Sequence, residues 1–145
     1  MALRALTLTT VRQVQLKRDP DYGTDRATVF HIGTLDARIA AWIKDQSTKF
    51  DVPTSGRGED DLVSTQINVN QMHYLAVQFG LRGFDRLVDD DGNDLGFVTK
   101  KRNVAGKSYE VVSEQIIDRL HHEDIAELGR QILGDNTFGE ADAGN

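Results

Sequence analysis

Cysteine is absent from the chain, which excludes disulfides, thiolate zinc sites and a cysteine nucleophile. No apolar run approaches the roughly 18 residues that would suggest a membrane span. The opening MALRALTLTT also lacks the longer apolar core of a signal peptide, so the expected place of work is the cytoplasm. No serine sits in a Gly-x-Ser-x-Gly elbow, and no glycine run has the spacing of a phosphate loop. Proline occurs only twice, and a chain of 145 residues with 39% hydrophobic and 28% charged side chains has an ordinary globular composition. That length suits one domain with one core.

Charge is unevenly spread. The net charge is −6, of which residues 1–58 contribute +3 and residues 59–145 contribute −9. A phosphate-binding protein is therefore not expected. Halves of opposite sign are compatible with head-to-tail contact between copies, although two independently solvated faces are the plainer reading.

The spacing predicts an α+β fold in which a small antiparallel sheet of about four to six strands packs with three to four helices, ending in a helical C-terminus. Its expected divisions are an extended arm over 1–10, a single α+β domain over 11–134 and an acidic tail over 135–145. Leu3, Leu6 and Leu8 lie among threonines in the arm, which either completes a sheet or reaches a neighbour. A strand follows with Val14 and Leu16 on one face. Pro20 and Gly23 turn the chain into a returning strand that carries Phe30 and Ile32. Thr34 is the expected cap of a helix whose stripe is Leu35, Ile39, Trp42 and Ile43. Residues 50–61, with Pro53, Gly56 and Gly58, read as an exposed mobile loop, and 62–69 as a third strand.

The organising stretch is 70–99. Met72, Leu75, Ala76 and Phe79 form one stripe of a helix capped by Asn70. Gly80 or Gly83 should end it with a positive φ, while Leu81 and Phe84 place apolar groups on the corner. The run Asp89-Asp90-Asp91-Gly92-Asn93 then makes a hairpin turn. Beyond it lie a basic turn at Lys100, Lys101 and Arg102, a strand with Tyr109 and Val111, and a short helix capped by Ser113. A last helix carries Ile125, Leu128, Ile132 and Leu133 and should end at Gly134. Phe138 is the single aromatic of the tail.

Candidate chemistry is thin. Asp89, Asp91 and Asn93 match the first positions of a calcium loop, but Asp94 stands where glycine is needed and Lys100 where a bidentate carboxylate is needed. In His121-His122-Glu123-Asp124, adjacent helical residues point about 100° apart, so the run suits a helix start better than a metal. His31 and His73 are isolated and read as surface residues of a strand and a helix. Gly80-Leu81-Arg82-Gly83 has the spacing of a nucleic-acid loop, but the acidic hairpin beside it would repel phosphate. No catalytic residue, cofactor, metal, nucleic acid, membrane or small-molecule substrate is expected.

Three stretches, ATVFHIGTLDARIAAWIKD, QFGLRGFDRLVDDDGNDLGF and IAELGRQIL, together resemble small morphogenesis proteins of tailed bacteriophages. The likeness spans roughly 27–145 and rests on Thr34-Leu35 at a helix start, Gly83-Phe84 before Asp91-Gly92, and Ile125 and Leu128 in the final helix. Where that group often carries Trp at the corner, this chain has Phe84, so a Trp-dependent contact is not carried over. The resemblance implies a non-enzymatic role in building the virion, as a multicopy accessory part of head, neck or tail. The alternative that it implies is a tail-assembly chaperone for a tape-measure or tail-tube protein. Either would act in the host cytoplasm during assembly, and the first also in the virion, through contacts with other phage proteins. The residues expected to make them are Leu3, Leu6 and Leu8 in the arm, Leu81 and Phe84 at the corner, and Phe138 in the tail.

Overall fold

A computed structural model of the chain describes residues 2–51 and 64–143, with side chains described over 2–48 and 68–134. The expected loop therefore lies outside the described residues from 52 onward, and so does the side chain of Phe138. The α+β class holds, with four helices and a helical C-terminal region. The strands do not form one sheet of four to six. They divide into a three-stranded antiparallel sheet, order β1-β2-β5, and two two-stranded ribbons, β3-β4 and β6-β7.

The first pair forms as its alternation predicts. β1 (Val11–Val14) runs antiparallel to β2 (Val29–Gly33), with Val11 opposite Gly33 and Val14 opposite Phe30. Val14, Leu16, Phe30 and Ile32 are buried, as strand periodicity requires of one covered face. β5 (Leu81–Asp85) completes the sheet, with Val29 opposite Asp85 and a register shift between His31 and Ile32.

α1 (Ala37–Ser47) is capped by Asp36, not Thr34: the Asp36 carboxylate accepts the Ile39 amide at 2.8 Å. Aspartate satisfies an orphan amide of the first turn, so the helix starts where that geometry is available. Leu35, just outside the helix, is buried. β3 (Thr48–Asp51) follows directly where the sequence suggested a loop, and pairs with β4 (Ser64–Ile67) instead of joining the main sheet. α2 (Val69–Gly80) is capped two residues earlier than expected, by Asn68 in place of Asn70, and the Asn68 side chain accepts the Gln71 amide at 3.0 Å.

Gly80 and Gly83 do not have positive φ; among the described residues Gly23, Gly92 and Gly106 do, with Arg86 and Ala105. Gly80 is the last residue of α2, and packing explains why it is glycine. A Cβ there would lie 2.5 Å from Ile132 Cγ2. Gly83 sits in β5 opposite His31, where a Cβ would meet only ordinary contact at 3.7 Å. With neither a positive φ nor a clash, Gly83→Ala should be neutral to stabilising, by up to about 1 kcal/mol, which urea unfolding would measure. A loss above about 1 kcal/mol would contradict this reading of β5.

The hairpin over 87–95 is tight. Asp89 Oδ1 accepts the amides of Asp91 and Asn93, both at 2.9 Å, and Gly92 takes φ 83°. Only the bridge between Val88 and Asp94 pairs across it, in place of two strands. Lys100, Lys101 and Arg102 lie not in a turn but on β6 (Thr99–Val104). The turn is Ala105-Gly106, both at positive φ, and leads into β7 (Lys107–Val112). Two positive φ values in a two-residue loop match the twist of the flanking strands.

Ser113 caps α3 (Glu114–Ile117) as expected, and α4 (His122–Ala143) closes the chain. Gly134 does not end α4, which continues to Ala143. A single glycine costs a helix about 1 kcal/mol, which neighbouring turns can absorb. α4 packs along α2, burying Leu128 and Ile132 against the stripe of Leu75, Ala76 and Phe79.

Candidate interaction surface

The arm over 2–10 is the most apolar exposed segment among the described residues. Leu3 is fully exposed at 101%, and Leu6, Leu8 and Val11 lie between 42% and 48%. Leu6 lines a hollow of about 310 Å³ with Ile32 and Thr34, at the Gly33 end of β2. Leu8 lines a second, of about 190 Å³, with Leu35, Ile39 and Phe79. Beside Leu8 the Asp36 carboxylate receives Lys107 Nζ at 3.0 Å and the Tyr109 hydroxyl at 2.9 Å. Burial would raise the Asp36 pKa, but hydrogen bonds from the Ile39 amide, Lys107 and Tyr109 outweigh it and hold the carboxyl below its ordinary value. Arg82 donates to the carbonyls of Phe79 at 2.6 Å and Thr34 at 3.4 Å, which fixes the wall of the same hollow.

The corner behaves differently. Leu81, 2% exposed, is a core residue and offers no surface to a partner in this conformation. Phe84 is half-buried, edge-on to Phe30 at 6.2 Å and to Phe97 at 5.3 Å, so it closes the junction between sheet and hairpin. The hairpin beyond carries exposed Val88 and Val98 beside Asp89, Asp90, Asp91 and Asp94.

Two of the three basic residues, Lys100 and Arg102, are engaged within the fold. Arg102 lies 5.0 Å from the Trp42 ring centre and 5.6 Å from that of Phe79, and donates to the buried Gln78 side chain. Gln78 in turn donates to Glu114, which also pairs with Lys100. Trp42 is half-buried under this lid, edge-on to Phe79 at 5.6 Å. The period of the strand could have placed Arg102 on the inner face, since it alternates with exposed Lys101 and Asn103.

Among the histidines, His31 Nε2 lies 2.9 Å from Asp85 across the β2-β5 pair. His73 is not a surface residue: it is 7% exposed on the face of α2 against Gly129 of α4, and among the described residues its Nδ1 has no hydrogen-bond partner. Burial, with the nearby charges of Arg130 and His122, holds its pKa below 6.5. The folded state then takes up fewer protons than the unfolded, so this histidine removes stability as pH falls below about 6.5. His73→Leu should make stability fall less steeply between about pH 7 and pH 5, measured by urea unfolding at each pH. An unchanged slope would contradict it.

His121 to Asp124 begin α4, with Glu123 and Asp124 in its first turn. Asp124 receives Arg18 in a bidentate pair at 3.0 Å and 3.0 Å, which also raises the Arg18 pKa. Among the described residues no group of three or more His, Cys, Asp or Glu has an arrangement that could hold a metal ion, and no helix is long and apolar enough to cross a membrane. No protein family, characterised protein or solved structure matches the chain.

Proposed function

We propose that this protein is a non-enzymatic component of a tailed-phage particle, part of head, neck or tail, and works through protein–protein contacts made first by its arm. The observation that carries this reading is the arm itself. Four large apolar side chains, Leu3 wholly and Leu6, Leu8 and Val11 by 42% to 48%, are open to solvent immediately before and within an edge strand. Exposed apolar surface of this kind marks contact sites, and an edge strand offers unpaired backbone groups beside it. The resemblance on Thr34-Leu35, Gly83-Phe84 and Asp91-Gly92 supports the phage setting. Mass spectrometry of purified particles tests it. The chain should be present in many copies, and its absence would sink the reading.

One observation favours a second reading, a tail-assembly chaperone. Leu3 is exposed over its whole surface, as a segment waiting for a transient client would be. Co-expression with tape-measure and tail-tube proteins followed by pull-down separates the two. Capture of a client together with absence from mature particles would replace the first reading with the second.

A further inference from the structure

The arm and the acidic hairpin are complementary in chemistry and stand at opposite ends of one sheet. Of the eight large hydrophobic residues exposed among the described residues, Leu3, Leu6, Leu8 and Val11 lie in or beside the arm, and Val88 and Val98 lie in or beside the hairpin. The arm enters β1 at Val11 opposite Gly33, at one end of β2. The hairpin leaves β5 at Asp85 opposite Val29, at the other end. Four residue steps of strand separate Val29 from Gly33, about 13 Å.

Their charges are opposite. Residues 2–12 carry Arg4 and Arg12 and no acid, whereas residues 85–94 carry five aspartates and one arginine. Two-fold pairing of arm with arm would bring Arg4 and Arg12 against their own copies, and pairing of hairpin with hairpin would oppose five aspartates to five. Only the heterologous contact, arm to hairpin, joins apolar to apolar and cation to anion at once.

We propose that copies of this chain associate head to tail, the arm of one docking on the hairpin of the next. This deepens the particle-component reading and rests on it for its biological setting. The contact repeats, because each copy that has used its arm still presents a hairpin. A chain of copies or a closed ring follows, according to the rotation between neighbours.

Sedimentation velocity of the full chain tests this alongside two variants, one lacking residues 3–9 and one carrying Asp90→Lys and Asp91→Lys. Asp90 and Asp91 are exposed, and neither side chain makes the turn's hydrogen bonds, which use Asp89. Circular dichroism should show both variants folded. The full chain should self-associate, and the association should weaken at least about tenfold between low and high salt, because the charge attraction is screened. Each variant alone should be monomeric. Mixed one to one they should form a single heterodimer that does not grow, because the free arm of one meets the intact hairpin of the other.

A full chain that stays monomeric at up to about 100 µM, well into the range of weak specific contacts, would overturn the proposal. So would a mixture that stays monomeric, or an aspartate variant that still self-associates while the arm deletion does not. Failure here with the chain still found in purified particles would leave the particle reading standing. Self-association with the chain absent from particles would do the reverse.

Discussion

Phe79→Ala should cost about 4 kcal/mol and lower the melting temperature by roughly 10 °C or more. Phe79 is buried at the end of α2, edge-on to Trp42 at 5.6 Å and to Tyr109 at 5.7 Å, and lies beneath Arg102. Three elements, α1, α2 and the β6-β7 ribbon, therefore meet on one ring. Truncation removes the transfer free energy of a phenyl group and leaves a cavity that three separate elements would have to move to fill. Because Trp42 is the only tryptophan, its fluorescence reports the same site, and its emission should shift to longer wavelength in the variant. Val98→Ala, at an exposed position, should stay within about 0.5 kcal/mol. A Phe79→Ala loss below about 1 kcal/mol would contradict the packing described for this junction.

Gly129→Ala is expected to destabilise by about 1 to 2 kcal/mol net, although alanine is the better helix former. Helix propensity favours the change by about 1 kcal/mol. Against it, the new Cβ would lie 2.7 Å from His73 Cα and 2.7 Å from its Cβ. Main-chain atoms cannot rotate away, so α2 and α4 must separate and loosen the contacts of Leu128 and Ile132. Overpacking of this kind costs about 1 to 3 kcal/mol, at times more, and here it acts along the principal helix pair. Gly134→Ala, one turn onward in the same helix, meets nothing within 4 Å among the described residues and should stabilise by about 0.5 to 1 kcal/mol. Opposite signs at the two positions, measured by urea unfolding, are the expected outcome. A stabilising Gly129→Ala would mean that the helices do not approach so closely.

These glycines illustrate where a linear reading of this chain stops. Glycine serves either a positive φ or a close approach, and only the three-dimensional neighbour decides which. Gly92 has the first use, and the Asp-Gly turn announced it. Gly80 and Gly129 have the second, because Ile132 and His73 arrive from elements about fifty residues away in sequence. The antiparallel pair β1-β2 was legible because alternation and the Pro20 turn act locally. The division into three sheets was not, because which strand finds which partner is a tertiary matter. Helix starts were legible to within two residues. Thr34 and Asp36, like Asn68 and Asn70, all have capping side chains, and the choice between them depends on which amide the side chain reaches. Of the surface, the apolar arm was visible from Leu3, Leu6 and Leu8. Leu81 was misplaced because a residue at a helix end can face either inward or outward, and here it lies opposite Ile32 in the sheet.

If the fold is held together without the arm and the arm makes the contacts, then removing it should leave the domain intact and abolish its incorporation. The most direct measurement is the ratio of chain lacking residues 3–9 to full chain in purified particles when both are expressed together. A ratio close to zero is expected, with both species equally folded and abundant in the lysate. Incorporation of the shortened chain in proportion to its abundance would contradict it.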